Sequence, residues 1–200
     1  MSSEMWDQRY RADAYAYGTE PNDFLRAEAS RIPPGRVLCL AEGEGRNAVY
    51  LASLGHAVTA VDFSAEGLRK AERLARERGV ALELVQADLA TYEPPPDAFA
   101  GVVSIWAHTP PDVRALVHAR VKRALAPGGA FILEAYTPAQ LAFATGGPKD
   151  AALLPTLAAL ELELGGLDLV VAREVEREIH EGALHEGRSA TVQVVAVRRR

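Results

Sequence analysis

Between Gly35 and Tyr136 the chain alternates short apolar runs with stretches of helical periodicity, and this alternation limits the fold more than any other feature. GRVLCLA, HAVTAVD, ALELVQAD, GVVSIW and AFILEAY have the length and apolar character of buried strands. Between them, RNAVYLASL is helical in length and closes at Gly55. Ser64 stands at a helix start, Leu68, Ala71, Leu74 and Ala75 then share one helical face, and Gly79 ends the run. PDVRALVHARVKRAL has Pro111 in its first turn and stops at Pro127-Gly128-Gly129. Repeated strand–helix–strand units imply a parallel sheet covered by helices on both faces.

The flanks follow other rules. Asn22 or Asp23 caps a short helix, DFLRAEASRI, which ends at Pro33-Pro34-Gly35. After Tyr136, Thr137 to Gln140 has capping-box spacing, and ALLPTLAALELEL reads as a helix with Pro155 near its start. Two extended runs, LDLVVAREVEREIH and SATVQVVAVR, joined by EGALHEGR, predict a closing antiparallel hairpin. No repeat or linker divides the sequence. One domain is expected over 1–200, with an N-terminal segment (1–32), a central core (36–136) and C-terminal helices and hairpin (137–200).

Composition removes several function classes. A net charge of −5 argues against nucleic acid as partner. The single cysteine, Cys39, excludes an intramolecular disulfide framework and a cysteine-rich zinc site, and no metal is expected. The opening MSSEMWDQRYR has no signal-peptide character, and no stretch approaches the ~18 apolar residues of a membrane span. A cytoplasmic protein is expected, either monomer or homodimer.

The chemistry centres on CLAEGEGRN, residues 39–47. Gly43 and Gly45 follow a strand and open a helix, and Asp62 ends the next strand at the spacing of a ribose-binding acid. Pyrophosphate on a helix N-terminus wants free amides and no adjacent carboxylate. Like charges ~5 Å apart repel by about 3 kcal/mol at an effective dielectric near 20. Glu42 and Glu44 either face solvent or flank a ligand; if they flank one, it is cationic. S-adenosyl-L-methionine fits: it has no phosphate and carries an ammonium and a sulfonium.

Taken with QADL, VVSIWAH and ALAPGG, the segment VLCLAEGEGRNAVYLASLGHAVTAVDFS resembles class I S-adenosylmethionine-dependent methyltransferases, in the branch of the tellurite-resistance and thiopurine enzymes. The resemblance runs from about Val37 to Tyr136. It implies a Rossmann-like α/β three-layer sandwich, with a mostly parallel seven-stranded sheet of order 3-2-1-4-5-7-6. It further implies that the Ala41–Gly45 backbone, with Glu42, Gly43, Arg46 and Asn47, holds the methionine part. Asp62 would take the ribose hydroxyls, and Phe63, Asp88 and Leu89 the adenine. Ile105 and Trp106 would lie at the edge of strand four. Trp6, Arg9, Tyr10, Tyr15, Tyr17 and Gly18 resemble a lid, and Arg9 or Arg46 could pair with the methionine carboxylate. The chain departs from the pattern at Cys39, where an acid is usual, and at Ala41, where a glycine is usual.

The expected activity is in-line methyl transfer to a small-molecule acceptor, leaving S-adenosyl-L-homocysteine. WAHTPP after the fourth strand is not the NPPY-like signature of amide-nitrogen methylation. His108 and Tyr136 are the candidate bases, needed only for a hydroxyl or amine acceptor. His180, Glu181, His185 and Glu186, around the hairpin turn, read as solvated. An NAD(P)-dependent oxidoreductase and a nonenzymatic S-adenosylmethionine-binding module are the alternatives.

Overall fold

The computed structural model describes residues 3–143 and 145–200. Met1 and Ser2 of the expected N-terminal segment, and Ala144 of the expected C-terminal part, lie outside the described residues. Seven strands form one sheet: β1 (Arg36–Leu40), β2 (Ala57–Asp62), β3 (Leu82–Gln86), β4 (Phe99–Ile105), β5 (Leu125–Tyr136), β6 (Asp168–His180) and β7 (Glu186–Val197). Their order is β3-β2-β1-β4-β5-β7-β6. The first five pair in parallel, while β7 runs antiparallel to both β5 and β6. The helices are α1 (Ser3–Tyr10), α2 (Asp23–Glu28), α3 (Arg46–Ser53), α4 (Ala65–Glu77), α5 (Pro111–Ala124) and α6 (Leu157–Glu163).

The period of two along β1 sorts its side chains into two cores. Leu38 and Leu40 pack with Val117, Val121, Phe131 and Leu160 on the face covered by α5 and α6. Val37 and Cys39 pack with Leu25, Leu51 and Ala60 on the face covered by α2 and α3. Cys39 is fully buried there, and burial raises its thiol pKa, so it serves as a small apolar core residue. From β1 the chain goes to β2 and β3 on one side and then returns to β4 on the other. The crevice outside the carboxyl ends of β1 and β4 is therefore the place where such sheets bind ligands.

Local chemistry accounts for the departures from the expected elements. Ser64 caps α4 through Gly67 N–H, as its position predicts. The helix expected across residues 152–164 divides: a 3-10 turn spans Ala151–Leu153, and α6 begins only after Thr156, whose hydroxyl accepts from Ala159 N–H. Pro155 precedes that cap rather than opening the helix. Thr137 makes no side-chain cap, and Pro138–Ala142 is 3-10. β5 starts five residues before AFILEAY, because Leu125 pairs with Phe99 before the register slips past Pro127-Gly128-Gly129 and resumes at Gly101–Ala130. The N-terminal segment, weakly periodic as sequence, holds a helix, α1, that packs on α4. No helix among the described residues is long and apolar enough to cross a membrane.

Candidate active site

At the end of β1 the backbone turns left-handed at Ala41 (φ 49°), Gly43 (φ 59°) and Gly45 (φ 90°). Ala41 holds there a conformation that glycine adopts at no steric cost. A Cβ on Gly45 would lie 2.5 Å from Ala71 Cβ, so its absence lets α3 and α4 approach. The two glutamates, for which sequence left solvent open, are both buried. Glu42 Oε1 accepts from Asn47 N–H (2.9 Å) and Ala48 N–H (2.8 Å). These are amides of the first turn of α3, the groups a phosphate would use. Burial pushes the Glu42 carboxyl up to about 7, against the opposing pull of those amides and of Arg46.

Glu44 faces the other way. It accepts from Ala16 and Tyr17 N–H (3.2 Å each) and pairs with the fully buried Lys70 Nζ at 2.5 Å. Lys70 also donates to the carbonyls of Ala12 (2.9 Å) and Ala14 (2.6 Å). This pair pins residues 12–17 across the carboxyl edge of the sheet.

Asp62, at the end of β2, accepts from Gly43 N–H and Ser64 N–H, both at 2.8 Å. Burial raises its pKa. Each oxygen keeps a further lone pair for a ligand hydroxyl. Asp7 of α1 takes the Ser64 hydroxyl at 2.5 Å, which fastens α1 to the start of α4. Tyr10 is thereby laid over the loop: a Cβ on Gly43 would meet its Oη at 2.6 Å. Trp6 stacks on Tyr10 at 5.6 Å, and Arg9 donates to Tyr17 Oη at 2.9 Å. Phe63 is half-buried beside Asp62. Asp88 is exposed and accepts from Ala90 N–H, with Leu89 half-buried next to it.

Beyond β4, Ile105 is buried and Trp106 is left-handed (φ 59°), a costly conformation for so large a residue. Its ring stacks on Tyr136 at 4.4 Å and meets His185 edge-on at 5.2 Å, while Tyr17 lies 4.7 Å from His185. His108 is committed on both nitrogens: Nε2 accepts from Tyr136 N–H (3.0 Å), so Nδ1 carries the proton and donates to Trp106 O (3.0 Å). Burial lowers its pKa to about 4. A base role would require breaking this brace. Burial raises the Tyr136 pKa, leaving its hydroxyl a donor at neutral pH.

The hairpin turn does not match its solvated reading. Glu181 and His185 are buried, whereas His180 and Glu186 pair in the open. Glu181 Oε1 accepts from Asn22 Nδ2 (2.8 Å) and Arg177 Nη2 (3.0 Å). Its Oε2 accepts from Arg46 Nη2 (2.6 Å) and Trp106 Nε1 (2.7 Å). Burial alone would raise its carboxyl pKa, but Arg46 and the hydrogen-bonding side chains together hold it below the usual value. Glu134, fully buried on β5, joins the network through Asn22, Arg177 and Gln193. Its signal in the sequence was a lone carboxylate inside the apolar run AFILEAY. Arg46 Nη1, Tyr136 Oη and His185 Nδ1 are buried and find no hydrogen-bond partner among the described residues. Burial and the Arg46 charge lower His185 to about 3, so it is neutral at pH 7. Among the described residues no group of three His, Cys, Asp or Glu side chains could hold a metal ion.

Comparison with known proteins agrees with this geometry. Residues 37–129 match the family model described as a methyltransferase domain. No curated protein matches significantly. Among solved structures, one concerned with converting a disulfide bond into a thioacetal group during echinomycin biosynthesis is 22% identical. That match covers 98% of this chain and 92% of the other, with a TM-score of 0.77. TehB from Haemophilus influenzae is 18% identical over 98% of this chain and 67% of its own, with a TM-score of 0.71. A SAM-dependent methyltransferase from Methanosarcina mazei is 18% identical over 90% and 99%, with a TM-score of 0.70. Residues 37–129 match the methyltransferase domain model, and the chain has a Rossmann-like fold shared with solved S-adenosylmethionine-dependent methyltransferases.

Proposed function

We propose that the protein transfers a methyl group from S-adenosyl-L-methionine to a small-molecule acceptor. One observation carries this reading. Glu42 fills the first amides of α3 with a buried carboxylate, so the loop disfavours a diphosphate and favours a nucleoside with a cationic tail. One further feature fits that cofactor: the buried Nη1 of Arg46, which has no hydrogen-bond partner among the described residues and suits a carboxylate.

Ala41, Gly43 and Asn47 would lie along the amino-acid part, Asp62 at the ribose, and Phe63, Asp88, Leu89 and Ile105 around the base. Arg46 or Arg9 would take the carboxylate. When bound, the cofactor supplies an electrophilic methyl group on sulfur. The chain's own contribution is orientation and a dry site. Trp106, Tyr17 and Tyr10 present aromatic faces that attract a cation and exclude water. The Glu44–Lys70 pair keeps the N-terminal segment closed over them as a lid.

His108 is tied at both nitrogens, Tyr136 stays protonated and His185 is a very weak base. That set favours an acceptor that is already nucleophilic, such as a thiol or a metalloid compound, over an amine or alcohol that must lose a proton. The net charge of −5 favours a small molecule over nucleic acid. The testing experiment incubates the protein with methyl-labelled cofactor and separate thiol, metalloid, amine and hydroxyl pools. Label should pass to the thiol or metalloid pool. Transfer to amines or alcohols alone would contradict the acceptor class, and cofactor binding without transfer to any pool would favour a binding module.

A further inference from the structure

We propose that Glu181, on the hairpin turn, is a positioning residue: it fixes Arg46 so that the unpaired Nη1 receives the carboxylate of the cofactor's amino-acid arm. The inference rests on the methyltransferase reading. Glu181 lies 135 residues beyond Arg46 in sequence, on an element that otherwise closes the far edge of the sheet.

The geometry is specific. A guanidinium offers two edges and accepts nothing. Glu181 Oε2 engages Arg46 through Nη2 at 2.6 Å and leaves Nη1 buried and bare. A bare, buried N–H of a charged group is costly to leave unpaired, so the fold holds it at a loss unless a ligand completes it. The same oxygen takes the Trp106 indole N–H at 2.7 Å, and the other oxygen takes Asn22 and Arg177. Four donors from four segments therefore saturate the carboxylate and fix it on every side. Glu134 shares the half-buried Arg177 with it, so the charges of Arg46, Arg177, Glu134 and Glu181 balance before any ligand arrives. Rotation of Arg46 toward a different partner would break that balance. Arg46 belongs to the helix that follows the glycine loop, so the carboxylate within its reach is that of a ligand lying along that loop.

The test compares two ligands that differ in the amino-acid arm. S-adenosylhomocysteine carries that arm; 5′-methylthioadenosine keeps the nucleoside and the thioether and lacks the arm's carboxylate and ammonium together. Calorimetry on the full chain would measure both with wild type, Glu181→Gln, Arg46→Met and the double variant. The expected result is a loss of S-adenosylhomocysteine affinity of at least about tenfold in Glu181→Gln, the scale of one charge-assisted hydrogen bond, with 5′-methylthioadenosine within about twofold of wild type. Arg46→Met should show the same split, and adding Glu181→Gln to it should weaken S-adenosylhomocysteine no further. Equal losses for both ligands would mean that Glu181 only supports the fold, and no loss for either would mean that it does not act through Arg46. Either result overturns the inference while leaving the methyltransferase reading intact. A wild type that binds neither ligand would overturn both. If Glu181→Gln fails to fold, Glu181→Asp keeps the charge and withdraws it from Arg46, and the same pair of ligands decides.

Discussion

Replacing Glu42 by glutamine separates what the acidic loop costs the fold from what it gives the ligand. Gln keeps an oxygen for Asn47 and Ala48 N–H but removes the charge. In the folded protein burial raises the Glu42 pKa from 4.5 to about 7. The folded state therefore binds a proton more tightly than the unfolded chain, so stability must fall as pH rises from 4.5 through 7. At about 1.4 kcal/mol per pH unit the full effect is about 3 kcal/mol, of which about 2 to 3 kcal/mol accrues between pH 5 and pH 8.5. Any cost of burying the new amide is independent of pH and cancels in the comparison. Urea unfolding of both proteins at pH 5 and pH 8.5 measures it. The stability of Glu42→Gln relative to wild type should rise by that amount at the higher pH. At pH 8.5 the variant should also bind S-adenosylmethionine more weakly relative to S-adenosylhomocysteine, which lacks the sulfonium charge. A stability difference that does not change with pH would refute the claim that Glu42 is a buried, reluctant carboxylate.

Lys70→Met leaves Glu44 charged and buried without its partner, which should cost about 3–5 kcal/mol and speed amide hydrogen exchange at residues 12–17 first. Gly43→Ala forces a left-handed φ of 59° on alanine and a contact of 2.6 Å with Tyr10 Oη, so a thermal melt should show a loss of about 1–2 kcal/mol and exposure of Tyr10. Tyr136→Phe removes an unpaired hydroxyl and should leave stability within about 1 kcal/mol of wild type by urea unfolding. His108 and His185 have lowered pKa values of about 4 and 3, so their stabilisation is complete above 6.5 and drains away as pH falls toward those values. An acid titration followed by circular dichroism should show His185→Phe less sensitive over that range.

The sheet was legible because it rests on local rules. Period two splits Leu38 and Leu40 from Val37 and Cys39, glycines and prolines mark the breaks, and crossover chirality does the rest. The strand order came from the resemblance, and the pairing bears it out. Asp62 and the glycine loop were visible because their spacing is encoded within one strand–helix–strand unit. Glu44, Glu181 and His185 were not: Glu44 pairs with Lys70, 26 residues on, Glu181 takes Asn22 from 159 residues back, and burial is settled by tertiary packing. A carboxylate in a turn looks solvated until the segments that supply its donors are in place. Glu134 was not singled out either, although one charge in a buried apolar strand already demands a partner. His108 was correctly placed at the carboxyl edge of β4, but its hydrogen bonds to the backbone of Trp106 and Tyr136 could not be read from spacing.

The most direct measurement of the central claim is a calorimetric titration of the wild-type chain with S-adenosylmethionine, S-adenosylhomocysteine and NADH under one set of conditions. Both sulfur nucleosides should bind well below about 1 mM, a dissociation constant equivalent to about 4 kcal/mol, while NADH gives no heat at that concentration. Saturable NADH binding with silence from both sulfur nucleosides would show that the carboxylate-capped loop accepts a diphosphate after all.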